Sequence, residues 1–145
     1  MVRFVGDRCE EAGVKMETSL GAQEVEVVCD PDKIRQVILN IVQNALEAME
    51  GQAQKMLSVS TGSDDRCGKV CISDNGPGIG KEHLEHIFKP FYTTKPNGTG
   101  LGLPLCRQLM KEQGGCIDVT QAQRLRCFYP APRRHRRMGS VIAMR

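Results

Sequence analysis

Between Asp30 and Gly51, apolar side chains recur at Ile34, Val37, Ile38, Ile41, Val42, Ala45, Leu46 and Met49. That i, i+3, i+4, i+7 spacing gathers them into one stripe of an α-helix. The ends are equally explicit. Asp30 is a capping residue, Pro31 suits the first helical position, Asp32 favours the positive end of the helix, and Gly51 stops it. A helix with so wide an apolar face must bury it against another layer.

The remaining chain supplies that layer. Glu24–Cys29 alternates as a strand, and two more strands are expected near 56–61 and 69–73, with the polar run 63–68 turning between them. The opening residues end as a helix with Gly13 just past the C-terminus. Residues 74–103, rich in glycine and proline, read as a long loop with one short helix near 82–88. Pro104–Gln113 is a helix stopped by Gly114-Gly115, and Cys116–Thr120 a strand. The order α, β, α, β, β, loop, α, β predicts an α/β (α+β) two-layer sandwich: one mixed sheet with helices on a single face. The 145 residues suit one domain, and 40% hydrophobic with 26% charged residues is a globular balance.

Several function classes are disfavoured at once. Residues 121–145 hold seven arginines and no acid, whereas residues 1–120 hold 17 acidic against 13 basic side chains. The net +3 therefore describes neither part and is no nucleic-acid signal for the domain. Seven scattered cysteines without a C-x-x-C pair argue for reduced thiols used as small apolar residues, not for zinc or a disulfide framework. No run approaches the roughly 20 apolar residues of a membrane span. The first residues lack the apolar core and cleavage site of a signal peptide, so a cytoplasmic domain is expected.

Three local patterns carry chemistry. Asn40, Asn44 and Glu47 share one face of the long helix, at about 100° per residue, beside the apolar stripe. Such a face is either a solvated surface or the wall of a cleft; in a cleft, an amide oxygen is a hard neutral ligand suited to Mg²⁺. Asp74-Asn75-Gly76-Pro77-Gly78-Ile79-Gly80 follows a strand; a carboxylate there can accept a hydrogen bond from an exocyclic amine such as that of adenine, and the glycines let backbone approach a flat ring. Gly98-Thr99-Gly100-Leu101-Gly102-Leu103 opens the helix at Pro104 and presents backbone N–H groups and a positive helix end to an anion.

In order and spacing these blocks resemble the catalytic, ATP-binding domain of sensor histidine kinases, within the wider group of gyrase, Hsp90 and MutL ATPases. Asn40-x-x-x-Asn44-Ala45 resembles the N box, Asp74–Ile79 the G1 box, Phe88–Lys95 the F box and Gly98–Leu103 the G2 box. The wording Asn44–Met49 and the F box are most similar to the nitrogen-regulation branch, and the resemblance spans residues 1–120.

The resemblance implies a Bergerat-type fold with a mobile ATP lid over about residues 80–98. It implies that Asn44 holds Mg²⁺ with Asn40 in support, that Asp74 reads adenine with Gly78 close to the base, and that Gly76 and Ile79 belong to the ATP site. Thr99, Gly100, Leu101 and Gly102 then contact the phosphates through backbone groups, Leu103 belongs to the ATP site, Lys95 reads as ATP-binding or solvent-exposed, and Phe88 and Phe91 anchor the lid, with Gly98 and Gly100 as hinges. His83 and His86 read as exposed lid residues, and Lys89 as solvent-exposed or phosphate-facing. Hydrolytic relatives place a Glu where Asn40 stands, and an amide is no base, so phosphoryl transfer is expected over hydrolysis.

No block here resembles a phosphoacceptor histidine. The implied partners are therefore a dimerisation domain that carries the histidine and a response regulator. No nucleic acid is expected, membrane contact arises only through other segments of a parent protein, and the domain by itself is a monomer. A protein-serine kinase of the anti-sigma-factor type, or a nucleotide-binding module without transfer activity, are the alternatives. Past Thr120 the sequence departs from the family: residues 121–138 read as an atypical basic, solvated segment, with a closing strand at 139–144.

Overall fold

The computed structural model describes residues 2–21, 25–63, 67–120, 124–130 and 141–144. Its elements run α1 (Val2–Glu11), β1 (Lys15–Ser19), β2 (Val25–Val28), α2 (Pro31–Ala48), β3 (Met56–Ser63), β4 (Cys67–Asp74), α3 (Lys81–Leu84), α4 (Gly102–Glu112), β5 (Cys116–Val119), β6 (Arg124–Pro130) and β7 (Val141–Met144). Five strands form a mixed sheet in the order β1-β3-β4-β6-β5, with β1 parallel to β3 and the other neighbours antiparallel. β2 lies outside that sheet and pairs with β7 as a two-stranded antiparallel ribbon.

The core lies between the sheet and the helices. Leu57 and Val59 of β3, Val70 and Ile72 of β4 and Ile117 of β5 meet Ile34, Val37, Ile38, Ile41, Val42 and Ala45 of α2, with Cys106, Leu109 and Met110 of α4. The α2 stripe is thus buried as its spacing requires, and Asp30 caps the helix by accepting from Asp32 N–H at 3.0 Å. Cys9, Cys29 and Cys106 are buried free thiols. Among the described residues no helix is long and apolar enough to cross a membrane.

Side-chain contacts orient α2 and α4. Gln113 Oε1 accepts Asp30 N–H at 2.7 Å and Lys33 pairs with Glu112 at 2.7 Å, so the end of α4 abuts the start of α2. The start of α4 consequently reaches the second half of α2, where a side chain at Gly102 would lie 3.9 Å from Asn44 Nδ2. The helices run antiparallel, and this brings the glycine-rich block beside the amide stripe.

Two strands differ from the sequence expectations. β1 (Lys15-Met-Glu-Thr-Ser19) is an edge strand whose side chains are exposed, apart from half-buried Met16. It has no apolar alternation to read, and its pairing with β3 is purely main-chain and long-range. β6 corrects the reading of its segment as a solvated loop. Its register sets Cys127 opposite both Val70 of β4 and Ile117 of β5, so its backbone is paired on both sides. Interior pairing overrides a basic, proline-ended composition. β7 falls within the segment where a closing strand is expected, and residues 131–140 lie outside the described ones.

Candidate functional site

Strand period places Asp74. Val70, Ile72 and Asp74 lie on one face of β4, the face covered by helices, and Asp74 sits opposite Leu57 where the strand ends. Its half-buried carboxylate accepts Gly76 N–H at 2.8 Å. Burial pushes the Asp74 carboxyl above its ordinary value, partly offset by the Gly76 N–H and by the charge of Lys95. Asn75 closes the strand ends: its Oδ1 accepts Met56 N–H at 2.9 Å and its Nδ2 donates to Gln54 O at 3.0 Å. Gly78, at φ +84°, turns the following loop as few other residues could.

Between the end of β4, the polar stripe of α2 and residues 92–104 lies a cavity of about 810 Å³. Asn40, Asn44, Asp74, Gly78, Ile79, Lys95, Thr99, Gly100, Gly102 and Leu103 line it. Two residues of the sequence-derived set do not. Gly76 lies behind Asp74 and holds it through its N–H, and Leu101 caps α4, its side chain 45% exposed. The alternative of a wholly solvated α2 stripe is set aside, because Asn40, Asn44 and Glu47 are all half-buried against this cavity.

The lid segment is held at both ends. Phe88 packs against the core with the Arg107 guanidinium 5.1 Å above its ring. Phe91 anchors differently from expectation: the residue is 77% exposed, and its backbone N–H donates to Gly100 O at 3.0 Å. It adopts φ +64° to do so, an uncommon conformation for an aromatic residue. His83 and His86 are also not the exposed groups expected. Both are half-buried, the His83 ring bonds Tyr92 OH at 2.6 Å, and His86 packs on the Tyr92 ring at 5.4 Å between centroids. Lys89 is exposed.

Lys95 turns inward. Its ammonium forms an ion pair with Glu47 and lies 3.5 Å from Asn44 Oδ1. Glu47 also accepts Gln43 Nε2 at 2.9 Å. Burial raises the Glu47 carboxyl, but the hydrogen bonds from Lys95 and Gln43 outweigh it and hold the group below its ordinary value. Glu47 was legible in the sequence only as a third member of the amide stripe; its partner lies 48 residues away. Tyr92 and His83 also line the cavity; the sequence set them only within the F-box block and the lid, without a role of their own.

Residues 29–141 match the family model described as histidine kinase-, DNA gyrase B-, and HSP90-like ATPase. The chain belongs to that family. It is 43% identical over 100 residues to sporulation kinase D of Bacillus subtilis (strain 168), covering 69% of this chain and 19% of that protein. It is 39% identical over 98 residues to the sensor histidine kinase ZraS of Escherichia coli O157:H7, covering 68% and 21%. The chain thus spans about a fifth of the length of these relatives. The nucleotide-free catalytic domain of the histidine kinase ThkA superposes with a TM-score of 0.75 at 28% identity, over 90% of each chain. This is a histidine-kinase-type ATP-binding domain, and membership of an ATPase family carries the use of ATP.

Within this family the donor set bears on a metal. No group of three or more His, Cys, Asp or Glu that could hold an ion gathers among the described residues. Asn44 Oδ1, already facing a cationic group in the cavity, suits a hard divalent ion shared with phosphates. Asn40 instead faces the buried Cys106 thiol, whose pKa burial pushes up to about 11 despite the hydrogen bond between them. No carboxylate stands at position 40 to activate water.

Proposed function

We propose that this chain binds Mg·ATP in the cavity and delivers the γ-phosphoryl group to a histidine on a dimerisation domain, from which a response regulator is charged. Cytoplasmic ATP makes the cytoplasm the compartment of this reaction. The observation that carries the reading is the convergence on one cavity of a strand-end carboxylate, an amide stripe and the glycine-rich start of a helix.

Each part has a separate task. Asp74 accepts the adenine amine, and Gly78 keeps the loop backbone close enough for a flat ring to lie on it. Backbone N–H groups of Thr99, Gly100, Gly102 and Leu103, with the positive end of α4, face the phosphates. Asn44 is the residue that would hold Mg²⁺, which when bound neutralises charge on the transferred group. Lys95 adds a positive charge from the lid. With Asn40 in place of a carboxylate, no base stands one helical turn before Asn44 to activate water, so the phosphoryl group waits for an incoming nucleophile. Catalysis is then positioning and charge neutralisation.

The test supplies a dimerisation domain and γ-labelled ATP. An acid-labile, base-stable phosphohistidine is expected, lost in Asn44→Ala while circular dichroism shows the fold retained. Acid-stable phosphoserine would replace the acceptor class, and rapid phosphate release without any acceptor would defeat the transferase reading.

A further inference from the structure

The ion pair between Glu47 and Lys95 ties the lid to the helix that carries Asn44, and neither glycine-rich block requires it. Lys95 is preset for this contact. Thr93 Oγ1 accepts its N–H at 3.1 Å, and its carbonyl accepts Gly98 N–H at 3.2 Å, so a tight turn aims the side chain at α2. Gln43, one turn before Glu47, orients the carboxylate from the other side.

We propose that Glu47 is a positioning residue that latches the lid: it and the phosphates of a bound nucleotide compete for the single Lys95 ammonium. The inference rests on the cavity being the ATP site. The ammonium has three N–H donors but one positive charge to share between two anionic partners, so phosphate binding weakens the Glu47–Lys95 contact as it forms its own. Both side chains are 38% exposed, which leaves the pair strong enough to bias the lid and weak enough to be exchanged. Glu47 thereby holds Lys95 within reach of Asn44 and sets the threshold that phosphate must exceed to recruit it.

The experiment compares wild type, Glu47→Gln, Lys95→Met and the double variant in two assays. Chymotryptic cleavage after Phe91 and Tyr92, measured without nucleotide, reports lid docking and is blind to the loss of a lysine. ATP titration in EDTA reports affinity with no divalent ion competing for Glu47. Glu47→Gln is expected to be cleaved several-fold faster and to bind ATP roughly two- to fivefold more tightly, the range set by a half-exposed ion pair. In the Lys95→Met background the same substitution is expected to change neither readout. Equal tightening in that background would reduce Glu47 to plain repulsion of phosphate and overturn the latch, as would unchanged cleavage of Glu47→Gln. A wild-type chain that binds no ATP in a parallel titration with Mg²⁺ overturns the functional reading instead, and the cleavage assay then decides the latch alone.

Discussion

Gly100 sits at φ +66° against the base of the lid, and a methyl group there would lie 2.4 Å from Phe91 C, 2.6 Å from Tyr92 N and 2.7 Å from Phe91 Cα. All three are backbone atoms and cannot rotate aside. Gly100→Ala must therefore push the two segments apart, breaking the 3.0 Å bond from Phe91 N–H to Gly100 O. The left-handed conformation costs an alanine about 1–2 kcal/mol and the lost hydrogen bond about 1 kcal/mol. Their sum, about 2–3 kcal/mol, shifts lid docking by roughly thirty- to a hundred-and-fifty-fold. Because the lid is a loop at the rim of the core, this cost emerges as local opening more than as global unfolding. The expected result is at least tenfold weaker ATP binding by calorimetry, fast chymotryptic cleavage after Phe91, and a small change in Tm. Gly51→Ala is the control. Gly51 has φ +78°, but a methyl group there would meet nothing within 4 Å, so only conformational strain applies. That strain of about 1–2 kcal/mol lowers Tm by roughly 2–8 °C and leaves ATP affinity alone. Wild-type affinity and wild-type protection of the lid in Gly100→Ala would refute the assignment of this contact as the lid anchor.

Asp74→Asn separates stability from function. A carboxyl raised above its ordinary value by burial stabilises the fold below that value and loses the contribution as pH rises through its folded value. At neutral pH the charge is therefore a net cost, and Asp74→Asn is expected to raise Tm at pH 7, with the gain shrinking in acid, where the wild-type carboxyl is protonated. The same variant should bind ATP about ten- to a hundredfold more weakly and blunt its preference over GTP, the scale of one charge-assisted hydrogen bond; unchanged affinity would remove the adenine assignment. Asn40→Glu is expected to raise steady-state phosphate release modestly, well short of the ~10²–10⁴-fold of a matched general base, because the side chain faces Cys106 and is not preset for water. No gain at all would mean that position 40 does not reach the attacking nucleophile.

What the sequence determined by itself was everything written in short-range chemistry. The α2 helix is legible because Asp30 and Pro31 start it, Gly51 ends it, and its apolar spacing lies within one stretch of chain. The glycine-rich blocks declare unusual backbone, and Gly78 and Gly100 do adopt positive φ. Together these local patterns were sufficient to indicate the family. Tertiary structure alone decided the rest. β1 and β6 are strands because partners distant in sequence offer main-chain hydrogen bonds, which neither Lys15–Ser19 nor the arginine-bearing Arg124–Pro130 announces in its own pattern. Phe91 anchors through its amide rather than its ring because Gly100, nine residues on, folds back against it. The Glu47–Lys95 pair spans 48 positions of sequence, and no local rule relates them. Periodicity and caps act over a helical turn or two, whereas the contacts that shape this cavity exist only once the antiparallel packing of α2 and α4 has brought the lid over the amide stripe.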